Sequence, residues 1–195
     1  MTTWSRLLSG GELRQPDAVS CGACVAVVAT ALHQGAPPPA DFGSEVWALH
    51  RRLTSCADLD GRRQWPWPRW WGTPPWALAR HLTVVSGREH RVLWVRTGAR
   101  RVVRRVTAAL RDGAPVAVYV GSRLLPRHVV LALPVAQAGV PTTTDLRWTV
   151  HDPASGRTRH IDLDAWRRGR LTPGWPRPWW VVVPTAGRHD RVSRR

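Results

Sequence analysis

The segment that most constrains this 195-residue chain is residues 21–32, in which every residue is apolar or small except Thr30. Ser20 precedes it as a candidate helix N-cap, and Gly35 follows it as a candidate C-terminal stop. A helix that is apolar on every side is buried in a core and does not lie on a surface. The segment is too short to cross a bilayer. The sequence therefore predicts a central buried helix around which the rest of the chain packs.

The first turn of this helix carries a cysteine, Cys21. At a helix N-terminus the free backbone N–H groups and the helix dipole favour a thiolate. Gln15 lies six residues upstream, near enough for its side-chain amide to return to the same place as a hydrogen-bond donor. A thiolate beside such donors is typical of an activated nucleophile with an oxyanion hole. Cys21 is therefore the candidate nucleophile.

Three motifs in order carry a resemblance to a known family. They are Gln15 followed by Cys21-Gly22, His128 at the start of the apolar stretch 128–133, and Asp152-Pro153. Together they resemble the papain-like cysteine peptidases and are most similar to the bacteriocin-processing, double-glycine leader peptidases and their stand-alone relatives. The resemblance covers residues 15–180.

The resemblance implies a mechanism and a fold. Cys21 would be the nucleophile, His128 its acid and base, Asp152 the group that orients His128, and Gln15 the oxyanion donor. The reaction would be peptide hydrolysis through a thioester, with a leader peptide cut after Gly-Gly or a similar site, and no metal or organic cofactor is needed. The implied fold is α+β, a helical N-terminal lobe with the nucleophile helix packed on an antiparallel sheet.

Two positions depart from the family pattern. Ser20 stands where relatives often have an acidic or amide residue, and Cys24 stands where they commonly have a small apolar one. Cys21-Gly22-Ala23-Cys24 also matches the papain-type signature, whose nucleophile is the second cysteine. The spacing from Gln15 favours Cys21 and leaves Cys24 for the core. A redox dithiol, or a zinc site completed by Cys56 and a histidine, are the alternatives that a C-x-x-C pair leaves open.

The amino-acid composition and net charge indicate which kinds of partner the chain could bind. The net charge is +16, all 29 basic residues are arginine, and 13 tryptophans stand against one phenylalanine and one tyrosine. These preferences indicate the codon bias of a high-GC genome, or else an electrostatic role with an acidic peptide, nucleic acid or membrane surface. The charge leaves a catalytically inactive basic binding protein as an alternative to the peptidase. A papain-fold acyltransferase is a second alternative, because the thioester half of the reaction is common to peptidases and acyltransferases. Without a secretion signal, a cytoplasmic location is expected, and three cysteines do not form a disulfide framework.

The remaining pattern predicts one domain, residues 15–184, with a lead-in at 1–14 and a disordered basic tail at 185–195. Alternating Trp and Pro forbid a helix in residues 61–71 and indicate an extended strip, either a loop plugging its tryptophans into the domain or a wall of the substrate groove. An arginine stripe on the helix at 98–111 is read as a solvated face or a docking site. Helices are expected at 42–53, 73–81 and 98–111, and strands at 91–95, 116–120, 128–133, 147–152, 157–161 and 179–183.

The spacing of His128 and Asp152 allows a geometric prediction. If strands 128–133 and 147–152 form an antiparallel pair with its turn at 139–141, His128 lies directly opposite Asp152. Opposed residues have Cβ atoms roughly 5 Å apart, within reach of an imidazole–carboxylate hydrogen bond. His151 would face the other side of the sheet. The same register gives two further pairs: Val130 with Val150, and Ala132 with Trp148.

Overall fold

The structure is a computed structural model that describes residues 8, 10–95, 99–134, 147–168 and 175–185. Its helices are α1 Cys21–Gln34, α2 Phe42–Leu53, α3 Pro75–Ser86, α4 Ala99–Arg111 and α5 Leu163–Arg167. Its strands are β1 His90–Trp94, β2 Val116–Gly121, β3 Pro126–Ala132, β4 Arg147–Asp152, β5 Arg157–Asp162 and β6 Arg177–Pro184. The mixture of helices and antiparallel sheet agrees with the α+β prediction.

The strands form one antiparallel sheet in the order β1-β6-β2-β3-β4-β5. Side chains alternate between its faces along each strand. On β3, Val129 and Leu131 pack in the cluster that contains α1, whereas Val130 and Ala132 pack in the cluster that contains α4. The sheet is therefore covered on both sides, with α1 on one face and α4 on the other.

Helix α1 is buried nearly throughout, as the apolar segment predicts. Two details of the helix ends differ from expectation. Ser20 occupies the N-cap position of α1, but its side chain makes no capping hydrogen bond. Pro74, and not Thr73, is the N-cap of α3, and this helix continues to Ser86, well past the expected end near residue 81. Pro75 in the first turn explains the start, because proline at that position loses no intrahelical bond.

The predicted register of β3 and β4 was wrong by two residues. Ala132 pairs with Val150, and Leu131 pairs with His151. Trp148, expected opposite Ala132, instead pairs with Ile161 on β5. A two-residue slip keeps every side chain on its predicted face, because the side-chain period of a strand is two. The predicted turn at 139–141 lies outside the described residues.

The tryptophan strip packs into the domain through Trp67, as one of its two readings predicts, and it contradicts one detail; its role as a groove wall stays a prediction. Arg69–Trp71 forms a 3-10 turn, although the sequence was expected to be extended there. Trp67 packs edge-on against Trp71 and Trp76, at centroid distances of 5.3 and 5.0 Å, and so plugs the strip into the domain. Trp65 and Trp70 are exposed.

The outer surfaces and the chain ends complete the fold. The arginines of the α4 stripe are exposed: Arg100, Arg101, Arg104, Arg105 and Arg111. Leu8 in the lead-in is buried, while Trp4, Leu7 and the expected tail beyond Thr185 lie outside the described residues. None of the described helices combines the length and the hydropathy that a bilayer crossing requires.

Candidate active site

Cys21 is the first residue of α1, and a turn built by Asp17 sets its position. The Asp17 Oδ1 atom accepts hydrogen bonds from the backbone N–H groups of Val19, at 2.9 Å, and Ser20, at 2.8 Å. Its other oxygen accepts from the Trp47 indole at 2.9 Å, which ties the turn to α2. These bonds outweigh the effect of burial and lower the pKa of Asp17. A charged carboxylate thus fixes the segment that leads into the nucleophile helix.

A close backbone contact holds the first turn of α1 against the segment before α3. A Cβ atom added at Gly22 would lie only 2.6 Å from the Cβ of Thr73. The Thr73 carbonyl accepts a hydrogen bond from the Tyr119 hydroxyl at 3.0 Å. Burial, and then the nearby Cys21, raise the pKa of Tyr119. Cys21 is therefore anchored between a loop and the central strand β2.

His128 lies near the start of β3 and is buried. Its Nε2 atom lies 2.7 Å from Oδ1 of Asp152, the last residue of β4. Trp175 stacks on the imidazole, with 5.6 Å between ring centroids and 24° between planes. One ring nitrogen is thus engaged by a carboxylate and one ring face by an indole, so the ring has a fixed orientation.

Cys21 lies close enough to the His128 ring to affect its pKa. Burial lowers the pKa of His128, but the hydrogen bond to Asp152 and the interaction with Cys21, together with the negative charges of both groups, raise it to about 9. Since Nε2 serves Asp152, Nδ1 is the nitrogen left for the sulfur. Cys21, His128 and Asp152, predicted from three distant parts of the sequence, therefore meet in one place.

Asp152 is held by the turn that follows it as well as by His128. Its Oδ1 atom also accepts from the Ala154 N–H at 3.0 Å, and its Oδ2 atom lies 3.2 Å from Nε of Arg159. Burial raises the pKa of Asp152, but the bonds from His128 and Ala154 and the charges of His128 and Arg159 lower it overall. The carboxylate is therefore charged and oriented at neutral pH.

Gln15 is joined to the same turn through its backbone. Its N–H donates to the Pro153 carbonyl at 2.9 Å, and its side-chain Nε2 donates to the Asp17 carbonyl at 2.5 Å. An amide group carries two N–H donors, so this bond uses one of them. Gln15 thus bridges the loop that leads to Cys21 and the turn that follows Asp152, while its oxyanion role stays a prediction.

Cys24 is a core residue. It is fully buried, and its thiol donates to the Leu13 carbonyl at 3.6 Å. Burial, with added repulsion from Cys21 and Asp152, raises the pKa of Cys24 far above its usual value of 9.0. His151, predicted to face the other side of the sheet from His128, is also fully buried, and its partner Leu131 packs in the cluster that contains α1. Within the described ranges, no cluster of three or more His, Cys, Asp or Glu side chains has a metal-binding arrangement.

Sequence reasoning missed three residues that shape this site. Asp17 follows a proline in the loop, and this pair is the local signal from which its turn could be predicted. Arg159 follows from the β4–β5 hairpin, because the turn at residues 153–156 pairs Asp152 with Arg157 and places Arg159 on the same face. Trp175 has no local signal, since its contact with His128 depends on long-range packing.

Comparisons with known proteins add little to this geometry. No family model matches the chain, and no curated protein matches it. Among solved structures, the chain is similar to the peptidase domain of Streptococcus ComA, a bi-functional ABC transporter involved in a quorum sensing pathway. The identity is 16%, the TM-score is 0.45, and the match covers 88% of this chain and 96% of that one.

Proposed function

We propose that this chain is a cysteine peptidase of papain-like fold, with Cys21 as nucleophile, His128 as acid and base, Asp152 as the group that orients His128, and Gln15 as an oxyanion donor. The observation that carries the proposal is the position of His128, whose Nε2 atom lies 2.7 Å from Oδ1 of Asp152 and whose ring is close enough to Cys21 for that residue to raise its pKa. A nucleophile, a base and an orienting group in hydrogen-bonded series are the arrangement that nucleophilic catalysis requires.

The proposed reaction begins with a thiolate–imidazolium pair. The Cys21 sulfur attacks the carbonyl carbon of the substrate, and the carbonyl electron pair moves onto oxygen. The Gln15 amide and the Cys21 backbone N–H stabilise this oxyanion, each donor contributing about 3 kcal/mol. When the C–N bond breaks, the leaving amine takes the proton of His128, and a thioester remains. Water, deprotonated by His128, then releases the acid and regenerates the thiolate.

The decisive experiment compares alkylation rates of the three cysteines. Iodoacetamide at neutral pH is followed by peptide mapping with mass spectrometry. Cys56 is exposed and Cys21 is only 6% exposed, so accessibility alone makes Cys56 the faster thiol. We expect Cys21 to react faster than Cys56, because it stands at the N-terminus of α1 beside the proposed base His128, and Cys24 to react slowest.

Two histidine variants make the alkylation test specific. His128→Ala should remove the advantage of Cys21. His33→Ala, which alters a half-buried histidine outside the site, should preserve it. Equal rates at Cys21 and Cys56 in the unaltered protein would contradict the proposed function.

The proposed substrate is a class of peptide and not a single sequence. The family resemblance favours a peptide cut after a Gly-Gly or similar small-residue site, with the chain acting in the cytoplasm, and the +16 charge favours an acidic peptide. Synthetic peptides that differ only in a central Gly-Gly or Leu-Leu pair, each in acidic and neutral versions, test this by mass spectrometry of the products. Products extended by an added amine, in place of free acids, would favour the acyltransferase alternative.

A further inference from the structure

The Asp152 carboxylate uses its two oxygens differently. Oδ1 is shared by the His128 ring at 2.7 Å and the Ala154 N–H at 3.0 Å. Oδ2 faces Arg159, whose Nε lies at 3.2 Å, and no other partner of this oxygen occurs among the described residues. Rotation about the Cβ–Cγ bond would exchange the two oxygens. Arg159 is therefore the described partner that holds Oδ2, while His128 and the Ala154 N–H hold Oδ1.

The hairpin between β4 and β5 determines which arginine reaches Asp152. Asp152 pairs with Arg157 directly, while Arg159 pairs with Val150. Both arginines are exposed and lie on the same face of β5, because they are two residues apart. Only Arg159 makes the ion pair in the described structure. Because Asp152 is largely buried, its contact with Arg159 differs from an ordinary pair between two exposed side chains.

We infer that Arg159 is a positioning residue of the site: by holding Oδ2 of Asp152, it keeps Oδ1 aligned with Nε2 of His128. This inference rests on the proposed function, in which Asp152 orients His128; Arg159 would in turn orient Asp152. Arg159 acts through Asp152 and does not contact Cys21 or His128.

A positioning role of Arg159 and a purely electrostatic role predict opposite changes in the pKa of His128 when Arg159 is removed. The charged or titratable groups that face its ring are Cys21 and Asp152, with Arg159 behind Asp152 and His151 farther away. If Arg159 acts only as a nearby positive charge, its removal favours the imidazolium and raises the pKa of His128. If it positions Asp152, its removal weakens the bond to Nε2 and lowers the pKa of His128.

The test uses Arg159→Gln, with Arg157→Gln as a control that removes the same charge from the same strand and face. An NMR titration of the His128 ring and the alkylation rate of Cys21 are measured in both variants. We expect Arg159→Gln to lower the titration midpoint of His128 and to slow alkylation of Cys21 about tenfold. Arg157→Gln should change neither. Arg159→Lys, which keeps a donor and the charge, should restore part of both.

The outcomes separate this inference from the proposed function. A midpoint that rises or stays unchanged in Arg159→Gln overturns the positioning role. Equal effects of Arg159→Gln and Arg157→Gln also overturn it, because they would report net charge alone. If Cys21 in the unaltered protein reacts no faster than Cys56, the proposed function fails regardless of either variant. Circular dichroism and thermal unfolding of each variant confirm that the hairpin is folded.

Discussion

The Nε2 atom of His128 lies 2.7 Å from Oδ1 of Asp152, although their strands pair two residues away from the register that places the two directly opposite each other. The bond forms in the observed register because a two-residue difference leaves both side chains on one face. Asp152 also stands at the end of β4, where the chain turns. The geometry of the pair therefore depends on the turn after Asp152 as much as on the strands.

The pH dependence of His128 follows from this pair. Its pKa, about 9, lies above the usual value of 6.5. Because the pKa is raised in the folded state, the interactions of protonated His128 stabilise the fold fully below pH 6.5. This contribution is lost as the pH rises through about 9. We expect an NMR midpoint near 9 for the His128 ring and a stability that declines over that interval. Asp152→Asn should lower the midpoint, because burial alone disfavours the imidazolium. An unchanged midpoint in Asp152→Asn would contradict this account.

Gly22 is expected to be essential to packing at the nucleophile, and α2 offers a matched control. Gly22 and Gly43 are each the second residue of a helix. A Cβ at Gly22 meets Thr73 at 2.6 Å, whereas a Cβ at Gly43 meets nothing within 4 Å. Gly22→Ala should destabilise the fold by about 1–3 kcal/mol through overpacking. Gly43→Ala should stabilise it by about 0.5 kcal/mol. Urea unfolding measures both, and equal changes would disprove the close contact.

Gly156 is expected to control the Asp152 turn. Its φ is +66°, and a Cβ there would lie 2.5 Å from the Gly11 carbonyl oxygen. Gly87 has the same φ with open space around it, so an alanine there introduces the backbone strain without the steric clash. Gly87→Ala should cost about 1 kcal/mol of unfolding free energy and Gly156→Ala about 2–4 kcal/mol. Only Gly156→Ala should also slow alkylation of Cys21. Equal alkylation rates in the two variants would show that the turn after Asp152 does not affect the reactivity of Cys21.

Three buried histidines predict an acid-sensitive fold. The pKa values of His81, His90 and His151 are each lowered to about 4, chiefly by burial. Between pH 6.5 and 4 the unfolded chain binds more protons, so the stability falls as the pH falls. The slope is about 1.4 kcal/mol per pH unit for each proton taken up. Urea titrations from pH 7 to 4.5 should show a slope of up to three protons, and His81→Gln should reduce it by about one. An unchanged slope would mean that His81 does not contribute.

The sequence predicts the proximity of His128 and Asp152 better than it predicts the order of the strands around them. Alternation along β3 and β4 is enough to place His128 and Asp152 on one face, because only parity matters. The sheet order could not be derived, since β6, last in sequence, lies between β1 and β2 through contacts that no local pattern encodes. The 3-10 turn at Arg69–Trp71 was missed for a related reason: Trp67 and Trp71 pack edge-on, and that packing overrides the extended preference around the prolines.

Asp17 gives the last prediction, because it carries no chemistry in the proposed reaction and yet fixes the start of the nucleophile helix. Asp17→Ala removes the acceptor of the Val19 and Ser20 N–H groups and of the Trp47 indole. Losing hydrogen bonds to a partly buried carboxylate should lower the unfolding free energy by about 1–3 kcal/mol and slow alkylation of Cys21. Asp41→Ala removes a comparable acceptor at the start of α2, where Asp41 accepts from the Ser44 N–H, and should leave the Cys21 rate unchanged. If both variants alkylate at the unaltered rate, the turn at Asp17 stabilises the fold without setting the position of the thiol.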